Sequence, residues 1–66
     1  MADEPHLDGL NRLRHDLRTP LTVVIGFAEI LASDRTLSDD DRRDYAQRVL
    51  NAGYEIRELI DAAKLG

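Results

Sequence analysis

Cysteine is absent from the 66 residues, so no disulfide and no thiolate metal site can brace the chain. That usage fits a reducing compartment such as the cytosol. Basic charge is in short supply as well: nine Lys and Arg stand against thirteen Asp and Glu, for a formal net charge of −4. An acidic balance argues against nucleic acid or an anionic membrane as ligand, since both call for a positive surface. No apolar run approaches the roughly 20 residues that cross a bilayer, and no charged-then-apolar signal peptide opens the chain, so no membrane insertion is expected. Repeats, low-complexity tracts and interdomain linkers are missing too. The last shortage is length. The chain can form one small domain, and domains of this size commonly need a disulfide, a metal or a partner subunit to complete a core. With no cysteine, a partner subunit is the remaining option.

What is present is helical periodicity. Met1 to Glu4 reads as a frayed polar start. Pro5 suits a first helical turn, where its missing N–H costs nothing. From Leu7 onward, Leu10, Leu17, Val24 and Leu31 lie seven apart, and Leu13, Pro20 and Phe27 form a second row offset by three. These are the a and d positions of a heptad. Leu7, Leu21 and Ala28 widen the stripe to that of a bundle helix. Pro20 removes the hydrogen bond to the Asp16 carbonyl and biases Thr19 away from helical geometry. Thr19 could therefore cap a new helix starting at Pro20. The row from Leu10 to Leu31 nevertheless stays in phase across the proline, which predicts one kinked helix over about 7–32.

Residues 33–38 predict a turn. Ser38 is an N-cap, with Asp41 three residues on as in a capping box. Asp39, Asp40 and Asp41 fill the first turn of a second helix, where the helix dipole favours negative charge. A calcium loop would also need regularly spaced oxygen ligands and a turn glycine, which this run lacks. The second helix is expected over about 39–64, with rows Tyr45, Ala52, Leu59 and Val49, Ile56, Ala63, widened by Ala46, Gly53 and Ile60. Asp39/Arg43 and Asp44/Arg48 are spaced as i,i+4 ion pairs. Gly53 costs roughly 1 kcal/mol relative to Ala in a helix interior, and its place on the apolar face predicts close approach of a neighbouring helix. Gly26 lies away from the a and d rows. The expected fold is all-α: an antiparallel two-helix hairpin whose exposed apolar faces drive homodimerisation into a four-helix bundle.

The chemistry concentrates in His15-Asp16-Leu17-Arg18-Thr19-Pro20-Leu21. His15 falls at heptad position f, opposite the seam, which predicts an exposed imidazole, a nitrogen nucleophile able to meet a phosphoryl donor. His6 lies in the early part of the helix without a motif. The seven-residue run resembles, at every position, the phospho-acceptor box of bacterial two-component sensor histidine kinases: His, an acid, an apolar residue, Arg, Thr or Asn, Pro, Leu. More loosely, the whole chain resembles their dimerisation and histidine-phosphotransfer domain, residues 1–66 forming one such domain.

The resemblance implies that His15 receives the γ-phosphoryl of ATP and passes it to an aspartate of a response regulator receiver domain. It implies that Asp16 acts as general base and orients the ring, although helix neighbours point about 100° apart and a direct bond is not assured. It implies that Thr19 positions water for hydrolysis of the regulator's aspartyl phosphate; local capping beside Pro20 is a rival role. Arg18 is a candidate contact for phosphate or an acidic partner. No cofactor is expected on this chain. ATP with magnesium would enter through a separate kinase domain, which needs on the order of 100 further residues, with Asn-rich and Gly-rich motifs that do not occur here. As part of a sensor histidine kinase the chain would belong to an enzyme and be cytoplasmic, including as the cytoplasmic part of a membrane-bound sensor. A stand-alone histidine phosphotransfer protein, a purely structural dimeric hairpin and a helix-turn-helix DNA binder are the alternatives. The acidic balance and long helices count against the last.

Overall fold

The computed structural model describes residues 5–63, with side chains from Gly9 onward. It contains two helices, α1 (Pro5–Ala32) and α2 (Asp39–Ala62). The frayed start assigned to Met1 to Glu4 and the side chains of His6 and Leu7 lie outside the described residues; the second helix ends at Ala62, short of the expected Lys64, because Ala63 is already extended.

α1 has 28 residues, about 42 Å at a rise of 1.5 Å per residue. It runs unbroken through Pro20, so the phase of the apolar row decides between the two outcomes open to that proline. Its ring is buried against the rest of the hairpin. Two residues on, the Thr22 hydroxyl donates to the Arg18 carbonyl at 2.8 Å, a back-bond of the kind that accompanies helix bending. Ser33 ends the helix: its hydroxyl donates to the Ile30 carbonyl at 2.7 Å and accepts from the Arg35 N–H at 3.2 Å.

α2 begins as its capping signals require. Ser38 is extended, with φ −64° and ψ 159°, and its hydroxyl accepts from the Asp41 N–H at 3.0 Å. The expected Asp39/Arg43 pair is replaced: Arg42, three residues on, reaches Asp39 at 3.0 Å. Arg48 and Asp44 pair at 3.0 Å as the spacing indicates. Both pairs are exposed and contribute only a few tenths of a kcal/mol each. The final turn closes at Ala63, whose N–H donates to the carbonyls of Leu59 and Ile60 at 3.2 Å.

The helices run antiparallel. Leu13 and Asp16 share a groove with Leu59 and Ala63 at one end, while the Phe27 and Tyr45 rings lie 5.2 Å apart near the turn. The Arg48 guanidinium covers the Phe27 ring at 5.6 Å, while its Nε–H is held by Asp44. This register sets Pro20 level with Ala52, the two residues that are buried among those described. Small or ring-closed side chains at that level let the helices come together. Leu13, Leu17, Val24, Phe27 and Leu31 on α1, with Tyr45, Val49, Ile56 and Leu59 on α2, are half-buried around it.

The rest of the apolar surface stays open. Leu10, Leu21 and Ile25 on α1 are 46%, 48% and 51% exposed, and Leu50, Tyr54 and Ile60 on α2 are similar. The flanking row Ala46, Gly53 and Ile60 faces outward. A side chain added at Gly53 would meet nothing within 4 Å, so the close helix approach expected there does not occur within the hairpin. One hairpin has a single seam, and this glycine sits beside it.

Candidate functional site

Four residues within two turns of α1 define an open depression on the helix surface: Asn11, Arg14, His15 and Arg18. The i, i+3 and i+4 spacing of a helix brings them together. His15 is exposed, as the f position requires when the a and d rows face α2. Pro20 contributes indirectly. Buried on the inner side one turn along, it fixes how α1 lies on α2, and therefore which way the opposite face looks.

Asp16 does not join His15 in this depression. It points toward the other flank of α1, into the groove shared by Gly9, Arg12, Leu13, Leu59 and Ala63. Among the described residues no hydrogen bond links the two side chains, in keeping with their angular separation on the helix. Thr19, one turn beyond His15, is exposed, and its hydroxyl makes no hydrogen bond among the described residues. In a helix a threonine commonly spends that hydroxyl on the carbonyl four residues back. Thr22 does so and Thr19 does not.

Arg14 and Asn11 were not singled out from the sequence, although four-residue spacing from His15 reaches Asn11 and simple adjacency reaches Arg14. Arg14 and Arg18 also border a second, apolar groove with Leu10, Leu17, Leu21 and Ile25. Their aliphatic stems can lie along that groove while their guanidinium heads edge the histidine. No three His, Asp or Glu side chains converge on a metal position among the described residues. The depression around His15 is open to solvent.

A hairpin of two long helices presenting an exposed histidine in an H-D-L-R-T-P-L run is the arrangement of a phospho-acceptor domain. Residues 10–64 match the family model of the His Kinase A (phospho-acceptor) domain, and the chain belongs to that family. It is similar to the cell-division control histidine kinase PdhS of Brucella anthropi, with 32% identity over 70 aligned positions, covering 97% of this chain and 7% of that protein. The PdhS proteins of Brucella ovis and Brucella abortus match it to the same extent, 32% over 70 positions and 97% of this chain. The chain thus spans about 7% of the length of the curated relatives it matches. No solved structure matches it. Among the described residues no helix is long and apolar enough to cross a membrane.

Proposed function

We propose that this chain is the phospho-acceptor and dimerisation element of a two-component sensor histidine kinase, with His15 as the residue that carries phosphate. The observation that carries the reading is the exposed His15 within a complete acceptor box in a chain that belongs to the phospho-acceptor family. A kinase domain holding ATP and magnesium presents the γ-phosphate to His15. The lone pair of one imidazole nitrogen forms the N–P bond as the bond to the ADP oxygen breaks, and the proton on the other ring nitrogen leaves to a base. Asp16 is assigned that base. Its position on the next flank of the helix means that the ring must turn toward it, or a water must link them, during transfer. The phosphoryl group then passes to an aspartate of a receiver domain. Thr19, with its hydroxyl free of an internal bond, is assigned the orientation of water against that aspartyl phosphate.

Two hairpins together cover what one leaves open. The exposed leucines and isoleucines of α1 and α2 form faces that a second copy buries in a four-helix bundle. Such a domain works in the cytoplasm, where ATP and receiver domains are found.

The test is labelling by a separately supplied kinase domain and ATP, read as acid-labile phosphate. His15→Gln should abolish it, because an amide cannot carry the phosphoryl group. Asp16→Asn should slow it by about 100-fold, within the range of a lost general base. Thr19→Ala should label normally yet lose phosphatase activity toward a phosphorylated receiver domain. Full labelling of a folded His15→Gln chain would overturn the assignment.

A further inference from the structure

We infer that Arg14 and Arg18 form an anion cradle that holds the phosphoryl group on His15; the inference rests on the reading of His15 as acceptor. Every other arginine in the described parts of the two helices has a carboxylate three or four residues away. Arg12 has Asp16, Arg42 and Arg43 have Asp39, Arg48 has Asp44, and Arg57 has Asp61. Arg14 and Arg18 have none at that distance in either direction. Their neighbours at this spacing are Leu10, Asn11, His15, Leu17, Leu21, Thr22 and each other. Among the described residues neither guanidinium makes an ion pair or a side-chain hydrogen bond, while Arg42 and Arg48 on α2 each hold an aspartate at 3.0 Å.

The two are also four apart, the spacing at which like charges destabilise a helix. Two guanidinium groups with no ion-pair partner among the described residues are thus set one turn apart in a chain whose net charge is −4, edging the depression that contains His15. The ligand that answers this charge is a dianionic phosphoryl group, because a guanidinium matches phosphate oxygens in paired N–H bonds. Asn11 adds an amide donor at the same rim. On the other side, the stems of both arginines border the apolar groove of Leu10, Leu21 and Ile25. A second copy covering that groove would confine both heads toward the histidine.

The experiment uses the 66-residue chain and phosphoramidate, a small phosphodonor that needs no kinase domain. One imidazole nitrogen forms the N–P bond, the donor's P–N bond breaks with its electron pair leaving on ammonia, and the second ring nitrogen's proton passes to that ammonia. Arg14→Gln and Arg18→Gln should each slow labelling of His15 about threefold, the scale of an exposed charge pair, and the double variant about tenfold. Lysine at either position should recover part of the rate, since charge is kept and the paired geometry lost. The difference should shrink at high salt. Arg43→Gln, with the same change in net charge, should label at the parental rate. Thermal stability gives the opposite sign: each Gln variant should melt slightly higher, because the like-charge pair is relieved. Parental labelling rates in the double variant would overturn the cradle and leave His15 as acceptor untouched. Should the parent chain not label at all, the acceptor reading fails, and the cradle is decided by titration with inorganic phosphate. A saturable shift of both arginine Nε–H resonances, lost in the double variant, supports it, and no shift overturns it.

Discussion

The two helices solve different problems. α2 is built by the rules of stability: a serine cap, three aspartates in the first turn, and two arginines, Arg42 and Arg48, paired with carboxylates. α1 breaks several of those rules in two turns. It carries a proline in its interior, two arginines of like charge at i,i+4 with no acid three or four residues from either, and exposed leucines beside them. Pro20 alone costs about 3 kcal/mol in a helix interior, and the unpaired guanidinium groups add to it. The stretch that departs from stable helix design on one helix, beside a partner that follows it, coincides with the run proposed above as the phospho-acceptor box. The pairing is also supportive in a physical sense, since α2 is the template against which the irregular part of α1 packs.

That contrast can be broken most strongly from the α2 side. Leu59→Asp places a charge in the groove next to Leu13 and Asp16, and should destabilise the fold by about 3 kcal/mol or more; circular dichroism and sedimentation should show loss of helix and of the dimer together. Pro20→Ala removes the largest irregularity of α1. The gain in helix propensity exceeds the lost packing of the buried ring, so the chain should become more stable by about 1 to 2 kcal/mol while its labelling by kinase and ATP falls. A variant that is both stabler and fully active would mean that Pro20 serves no function. Ser38→Ala deletes the hydroxyl that accepts from Asp41 and should cost about 1 kcal/mol, seen as a lower melting temperature with unchanged labelling. Gly26→Ala adds a methyl group where nothing lies within 4 Å, and should gain somewhat less than 1 kcal/mol. The smallest effect belongs to Asp44→Asn, which removes the negative charge of Arg48's 3.0 Å partner and should cost about 0.4 kcal/mol, disappearing in high salt.

Much of the hairpin was legible from spacing alone. The row Leu10, Leu17, Val24, Leu31 kept its phase, and the helix through Pro20 followed from it, because a seam facing one partner needs one continuous axis. Ser38 and the aspartates after it marked the start of α2, because capping is a local interaction between a side chain and a backbone N–H three residues away. Local signals failed where two partners competed for one group. Asp39 had Arg42 and Arg43 within reach, and side-chain geometry chose Arg42.

Other features were not local at all. Val23 and Ile30, outside the a and d rows, are half-buried, while Leu10, inside them, is largely exposed. A heptad describes a helix surrounded by equivalent neighbours, whereas one hairpin offers a single neighbour on one side. Gly53 marks no close approach within the hairpin for the same reason: its row lies past the edge of that single contact.

Sequence order was enough to determine that the chain is helical, where it turns, and that His15 faces away from the seam. Those properties depend on helical periodicity and on contacts within one turn, which any stretch of chain carries with it. Only the packed hairpin decided that Pro20 and Ala52 lie level at its centre, that Asp16 borders a groove with Leu59 and Ala63 of α2, and that a band of leucine and isoleucine remains uncovered. These depend on the register and rotation of one helix against the other, which are set by how two whole surfaces fit and by no residue alone.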